Sequence, residues 1–258
     1  DAVPVVSTAT DLNGCFAVDR FAAAHDLYLS DRNVAKEISA ALLRDETVFL
    51  KNEFSDWFPN ELFHGLIPAE SGNLGVFVSL SESVKPFLKT LTLVPKAVVL
   101  GIGCRKGTSR EMIDQAVRES LRTADISFQS IKYVRTIDLK AEEPGLLTFC
   151  QDCGFPFLTN SAEELARTKG EFTPSGFVKQ VTGIDNVCER AAAYGGGKII
   201  VKKQIYQSVT VAAALVNKGG LYEALYSRIG TGRDRANDRT RFGSIEGKRR
   251  NCGIRRLY

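Results

Sequence analysis

The stretch Ala97-Val-Val-Leu-Gly-Ile-Gly-Cys-Arg-Lys-Gly-Thr-Ser109 decides the fold. Ala97 to Leu100 is a run of small and branched apolar residues, the pattern of a strand buried on both faces. Gly101, Gly103 and Gly107 permit tight turns and close approach of a ligand. Thr108-x-x-Glu111 has the capping-box pattern, which predicts a helix start. Met112, Ile113, Ala116, Val117 and Leu121 give that helix one apolar face. A strand, a glycine turn and a helix start together direct free N–H groups at a pocket, and Arg105 and Lys106 add full charge. That is an anion site in kind. An ordinary βα turn is the other reading, since the spacing fits neither a P-loop nor a dinucleotide fingerprint. These residues alone leave both open.

Around this stretch the chain reads as one or two globular domains. It has 258 residues, 44% hydrophobic and 25% charged, enough for a sizeable core. No apolar run reaches the ~18 residues of a membrane span. Six cysteines over this length do not make a disulfide framework, so a reducing cytoplasm is the expected compartment. Asp1 rather than Met begins the chain, which reads as a truncation with no secretory signal. The net charge of +4 is uneven. Gly219 to Tyr258 carries ten Arg or Lys against four Asp or Glu, a net of +6, leaving −2 for Asp1 to Lys218. The basic character thus belongs to the tail and argues against a nucleic-acid partner for the folded body.

The elements alternate in α/β fashion. Val3 to Thr8 predicts a strand, Ala9 to Gly14 a turn, and Phe16 to Ala24 a helix. Leu27 to Leu29 is too short to classify. Ser30 or Asp31 caps an amphipathic helix over Asn33–Arg44, and Thr47–Lys51 predicts a strand. Residues 52–72 read as an irregular crossover and Leu74–Leu80 as a strand. Glu82–Lys96, with Pro86 and Pro95, reads as the domain boundary. Farther on, Ser127–Lys140 is part strand and part turn. Pro144 starts a helix ending near Gly154. Phe155–Leu158 is a short strand, and Ser161-Ala-Glu-Glu164 starts a short helix. Thr173-Pro-Ser175 precedes a helix through Val178 and Val181. Val187–Tyr194 is a helix ended by Gly195-Gly-Gly197, and Ile199–Val201 and Val209–Leu215 are strands.

Four motifs occur in order: Thr8-Ala-Thr-Asp-Leu-Asn-Gly-Cys-Phe-Ala-Val-Asp19, Ala35-Lys-Glu-Ile-Ser-Ala-Ala-Leu-Leu43, Gly101-Ile-Gly-Cys-Arg-Lys-Gly-Thr-Ser109, and Val209-Thr-Val-Ala-Ala213. With Glu143-Pro-Gly145 and Thr173-Pro-Ser175, they resemble the cobalt-precorrin-5A hydrolase (CbiG) family of cobalamin biosynthesis over roughly Val3 to Leu215. The resemblance implies two α/β domains, the C-terminal one a three-layer sandwich with a mixed sheet. Residues 1–92 would be the remainder of the N-terminal and middle region, 93–217 the C-terminal domain, and 218–258 a basic, disordered tail. It also implies a further segment before Asp1, whose loss would cost activity if that segment lines the site. Read one base later, permitted codons for Tyr222–Tyr258 resemble the start of a precorrin-3B methyltransferase, so the tail reads as a run-on into an overlapping neighbour gene.

The implied activity is hydrolysis at a carbon–carbon bond. The δ-lactone of cobalt-precorrin-5A opens, acetaldehyde leaves, and cobalt-precorrin-5B forms. The partner is then a polycarboxylated cobalt-precorrin, with other enzymes of the pathway as candidate partners and neither nucleic acid nor membrane. No cofactor and no protein metal are implied, because cobalt is carried by the substrate. Such chemistry needs a base to deliver water and donors for the oxyanion. Asp11 and Glu143 are the candidate catalytic carboxylates, against an Asx turn for Asp11 and a helix-start carboxylate for Glu143. Gly101, Gly103, Arg105, Lys106, Thr108, Ser109, Thr173, Ser175 and Lys203 are the candidate substrate-binding residues. Capping is the rival role for Thr173 and Ser175, and edge solvation for Lys203. Cys150-x-x-Cys153 reads as packing rather than redox or metal chemistry. A non-catalytic carrier and an inactive fragment are the rival functions.

Overall fold

The computed structural model describes residues 16–217. Asp11 with the predicted turn that holds it, the predicted strand before that turn, and the basic tail lie outside the described residues. The strands form two mixed five-stranded sheets.

The first half contains α1 (Val18–Ala24), β1 (Leu27–Leu29), α2 (Arg32–Leu43), β2 (Val48–Asn52), β3 (Leu66–Pro68), β4 (Gly72–Val78) and β5 (Phe87–Pro95). Its sheet has the order β1-β5-β4-β2-β3. β1 is antiparallel to β5, and the other pairs are parallel. The expected cap of α2 is formed by Asp31, whose Oδ1 accepts from the Asn33 and Val34 N–H groups at 2.7 and 3.1 Å. The helix then buries Ala35, Ile38 and Ala41 in the core shared with Val48, Leu50, Val76 and Leu91. Burial of a side chain such as Ile38 contributes roughly 1.5–3 kcal/mol.

One expectation is corrected in this half. The crossover over 52–72 is not wholly irregular, because Leu66–Pro68 pairs parallel with Val48–Leu50. Glu82–Lys96, where the sequence reading places the domain boundary, holds β5, an interior strand of the first sheet. Pro86 stands just before β5 and Pro95 ends it, the terminal positions where proline is tolerated in strands. Two prolines therefore mask a strand without breaking it. β5 also spans residues 92 and 93, where the sequence reading divides the chain; the sheets part after Pro95.

The second half contains β6 (Val98–Cys104), α3 (Arg110–Thr123), β7 (Ile131–Ile137), α4 (Pro144–Cys153), β8 (Phe157–Asn160), α5 (Ala162–Ala166), α6 (Gly176–Thr182), α7 (Cys188–Ala193), β9 (Lys198–Tyr206) and β10 (Val209–Leu215). The order is β8-β7-β6-β10-β9, with β6, β7 and β8 parallel and β10 antiparallel to both its neighbours. β6 is central and buried on both faces, as its composition predicts. Val98, Leu100 and Ile102 pack with Ile113 and Val117 of α3 and with Leu146 and Phe149 of α4. α7 covers the opposite face so closely that a Cβ on Gly101 would stand 1.8 Å from the Cys188 carbonyl oxygen. Helices, sheet and helix make three layers. The two parallel βα crossovers bring the carboxyl ends of β6 and β7 to one edge, the usual place for a ligand crevice in such sheets.

Candidate functional site

A cleft of about 310 Å³ lies at that edge. Gly103, Cys104 and Arg105 line it from the end of β6, Thr136 and Ile137 from the end of β7, and Lys140 from the turn that follows. Ser175, Val178, Val181 and Thr182 form a second wall on α6 and its approach. Lys203 and Ile205 of β9, with the β9–β10 turn, complete it. Among the described residues Arg105, Lys140 and Lys203 give the lining three cations, and none of its residues is a carboxylate. Val181 and Ile205 hold an apolar lip, at 62% and 68% exposure. Cations beside an unsatisfied apolar surface suit a ligand that is both anionic and greasy.

The glycine turn is built largely from backbone. The Arg105 N–H donates to the Ser208 carbonyl at 2.9 Å. The Thr108 hydroxyl donates to the Arg105 carbonyl at 2.8 Å and lies 3.3 Å from Ser208 Oγ. Thr108 therefore does not cap α3, as its pattern predicts. Ser109 does, accepting from the Met112 N–H at 3.4 Å. Thr108 is buried and closes the turn, whereas Ser109, Arg105 and Lys106 are exposed.

Glu143 locks this turn from below. It is 7% exposed; Oε1 accepts from the Gly107 N–H at 2.5 Å and Oε2 pairs with Lys140 Nζ at 3.0 Å. Burial alone would raise its pKa. The Lys140 and Gly107 hydrogen bonds, with the Lys140 and Lys106 charges, outweigh that and hold it below the ordinary carboxylate value. Gly145 makes this possible, because a Cβ there would stand 2.1 Å from the Thr108 carbonyl oxygen. The start of α4 can thus lie against the backbone of the turn. Glu143 occupies the N-cap position of α4 without making a cap bond, so its carboxylate is free to serve the turn.

A second buried carboxylate, Glu189, is not singled out by the sequence. It is fully buried on α7 and accepts four hydrogen bonds. Oε1 takes the Lys203 N–H at 2.6 Å and the Thr173 hydroxyl at 2.9 Å. Oε2 takes the Thr173 N–H at 2.7 Å and Asn186 Nδ2 at 3.0 Å. Thr173 is therefore an anchor rather than a cap or a ligand donor. Ser175 is the N-cap residue of α6 but its hydroxyl makes no cap bond, and it lines the cleft. The available signal was Asn186-x-x-Glu189, whose Asn186 Oδ1 accepts from the Glu189 N–H at 2.8 Å as in a capping box.

The structure thus gathers Gly103, Arg105, Ser175 and Lys203 around one cleft. Thr108 and Glu143 shape its turn, and Thr173 anchors one wall. Gly101 lies under α7, away from the lining, and Lys106 and Ser109 are not part of it. Lys140, Val181 and Ile205 were missed, because only the fold brings them to the mouth. The described cysteines behave as packing residues. Burial, then the neighbouring Cys153, pushes Cys150 up to about 12, and burial pushes Cys104 up. Among the described residues no group of three or more His, Cys, Asp or Glu could hold a metal ion, and no helix is long and apolar enough to cross a membrane.

Comparison with known proteins agrees with the motif order. The model of the family "Cobalamin synthesis G C-terminus" matches residues 98–214. The cobalt-precorrin-5A hydrolase of Salmonella typhimurium is 29% identical over 84% of this chain and 65% of its own length. That of Priestia megaterium is 27% identical over 83% and 62%. Protein CobE of Sinorhizobium sp. is 31% identical over 45% of this chain and 79% of its own. The chain spans less than two thirds of the first two relatives. With its α/β architecture and the glycine turn at the mouth of its cleft, the chain belongs to the CbiG family of cobalamin synthesis proteins.

Proposed function

We propose that the cleft binds the carboxylates of a cobalt-precorrin and that the complete protein hydrolyses the δ-lactone of cobalt-precorrin-5A, releasing acetaldehyde. The carrying observation is that three cations, several hydroxyls and an apolar lip line the cleft, with no carboxylate among the described residues. Side-chain acetates or propionates would pair with Arg105 and Lys203 through charge-assisted bonds, and the ring edge would lie on Val181 and Ile205. Two relatives carry the hydrolase name, which supports the reaction class. In this reading the cobalt comes with the substrate, no resident cofactor is needed, and the reaction runs in the cytoplasm.

Two roles shift with the geometry. Glu143, engaged at both oxygens and lowered in pKa, suits holding Lys140 and the Gly107 turn better than moving a proton. Lys140 then becomes the candidate donor to the carbonyl oxyanion, beside Arg105. Asp11 stays the proposed base. Among the described residues the lining holds no Asp, Glu or His, which favours a second reading, a binding module without turnover. Incubation with cobalt-precorrin-5A separates the two. The hydrolase reading expects acetaldehyde in step with substrate loss, and binding without acetaldehyde would replace it with the carrier reading. A folded chain showing neither would be an inactive remnant.

A further inference from the structure

We propose that Glu189 is a positioning residue that aims Lys203 into the cleft through a β-bulge. This rests on the reading of the cleft as a carboxylate-binding site. In the β9–β10 ladder, Gln204 pairs with Val211 and Val201 with Ala213. Lys202 and Lys203 therefore stand against the single residue Ala212. Two residues opposite one is a bulge, a device that leaves backbone groups unpaired and re-aims a side chain. The Lys203 N–H leaves the ladder and donates instead to Glu189 Oε1 at 2.6 Å. On either side of the bulge, Val201 packs in the core under α3 whereas Lys203 and Ile205 line the cleft. Regular alternation would send residues 201, 203 and 205 to one face. The bulge breaks that parity, and Glu189 satisfies the N–H that the break exposes.

The same carboxylate binds the opposite wall. Both donor groups of Thr173 go to Glu189, and the Thr173 carbonyl accepts from Asn186 Nδ2 at 2.8 Å. Pro174 and the cleft-lining Ser175 follow directly. The neighbouring Arg190 donates to the Leu165, Ala166 and Thr168 carbonyls and stacks on the Phe172 ring at 4.7 Å. Adjacent residues of α7 thus hold the irregular segment leading to Ser175. Glutamine cannot replace Glu189 without loss. Each oxygen takes one backbone N–H, so an amide NH₂ in either orientation faces a donor.

The experiment combines amide exchange with a binding cycle. Native-state exchange measured by NMR should show the Lys203 and Thr173 amides protected in the wild type. In Glu189→Gln at least one should exchange about tenfold faster, while the core amides of β6 stay protected. Free exchange at Lys203 in the wild type, a measurement that needs no variant to fold, would overturn the assignment. So would equal protection in Glu189→Gln. Uroporphyrin, a porphyrin polycarboxylate, is then titrated into the wild type, Lys203→Ala, Glu189→Gln and the double variant. Each single change should weaken binding about five- to tenfold. With Lys203 gone, Glu189→Gln should cost less than about twofold more. Fully multiplicative losses would overturn positioning alone. A wild type that does not bind uroporphyrin would overturn the carboxylate reading of the cleft, with the exchange data still deciding whether Glu189 holds the bulge.

Discussion

Two buried carboxylates stand behind the two walls of the cleft, and they are built differently. Glu143 holds the glycine turn with one backbone N–H and one lysine. Glu189 holds the opposite wall with four donors, none of them charged. Both would look like candidate acids by residue type alone. Their surroundings make them anchors, because both oxygens of each accept from groups that must stay in place. The difference lies in what each holds. Glu143 keeps a cation, Lys140, at the mouth through a direct pair. Glu189 controls a cation, Lys203, through that residue's own backbone. The first arrangement is sensitive to charge and the second to hydrogen-bond geometry.

Removing Glu189 altogether should have the largest effect. Glu189→Ala leaves two backbone N–H groups, a hydroxyl and an amide without their acceptor in the interior, at roughly 1–3 kcal/mol for each orphaned group. Some relaxation and water entry will offset this, so a loss of about 4 kcal/mol is expected in urea denaturation. A loss under about 1 kcal/mol would show that the network does not hold the wall. Next is Gly145→Ala, whose Cβ would meet the Thr108 carbonyl oxygen. Lifting α4 from the turn should cost about 2–3 kcal/mol by the same measurement, while Ala at the open position Gly176 should cost little.

Glu143→Gln should have the smallest effect, about 1–2 kcal/mol near neutral pH. It is also the one with a pH signature. The folded-state pKa of Glu143 lies below its ordinary value of 4.5. Its contribution is therefore fully present above that value and is lost as pH falls through the lowered folded pKa. Stability curves of the wild type and Glu143→Gln should differ above about pH 5 and converge in acid. Parallel curves would mean that the Lys140 and Gly107 contacts do not depend on the charge.

The same contrast shows what the sequence could disclose. β6 was legible because burial on both faces leaves a continuous apolar run, Val98 to Leu100, before the glycines. α4 was legible because Pro144 opens it and Gly154, at φ 69°, closes it. β5 was hidden by prolines standing harmlessly at its ends. The Arg105 wall could be read because its residues are consecutive. The Glu189 wall could not, since Lys203 and Thr173 stand 14 and 16 residues from Glu189 and meet it only when α7 crosses the sheet. Lys203 was recognised as a candidate, but its aim depends on a bulge that no local pattern announces. Capping was misplaced by one residue because Thr108 and Ser109 are both competent, and the tertiary contact with Ser208 decides between them.

In the proposed function, the cleft reads carboxylates through Arg105 and Lys203. Titrating uroporphyrin into the wild type and into the Arg105→Ala/Lys203→Ala double variant, at fixed ionic strength, tests it most directly. Both side chains are at the surface of the cleft and form no ion pair among the described residues, so the double variant should keep the wild-type melting temperature. Binding should weaken about 100-fold, the product of two charge-assisted contacts. Equal affinity of the two proteins, at equal stability, would contradict it.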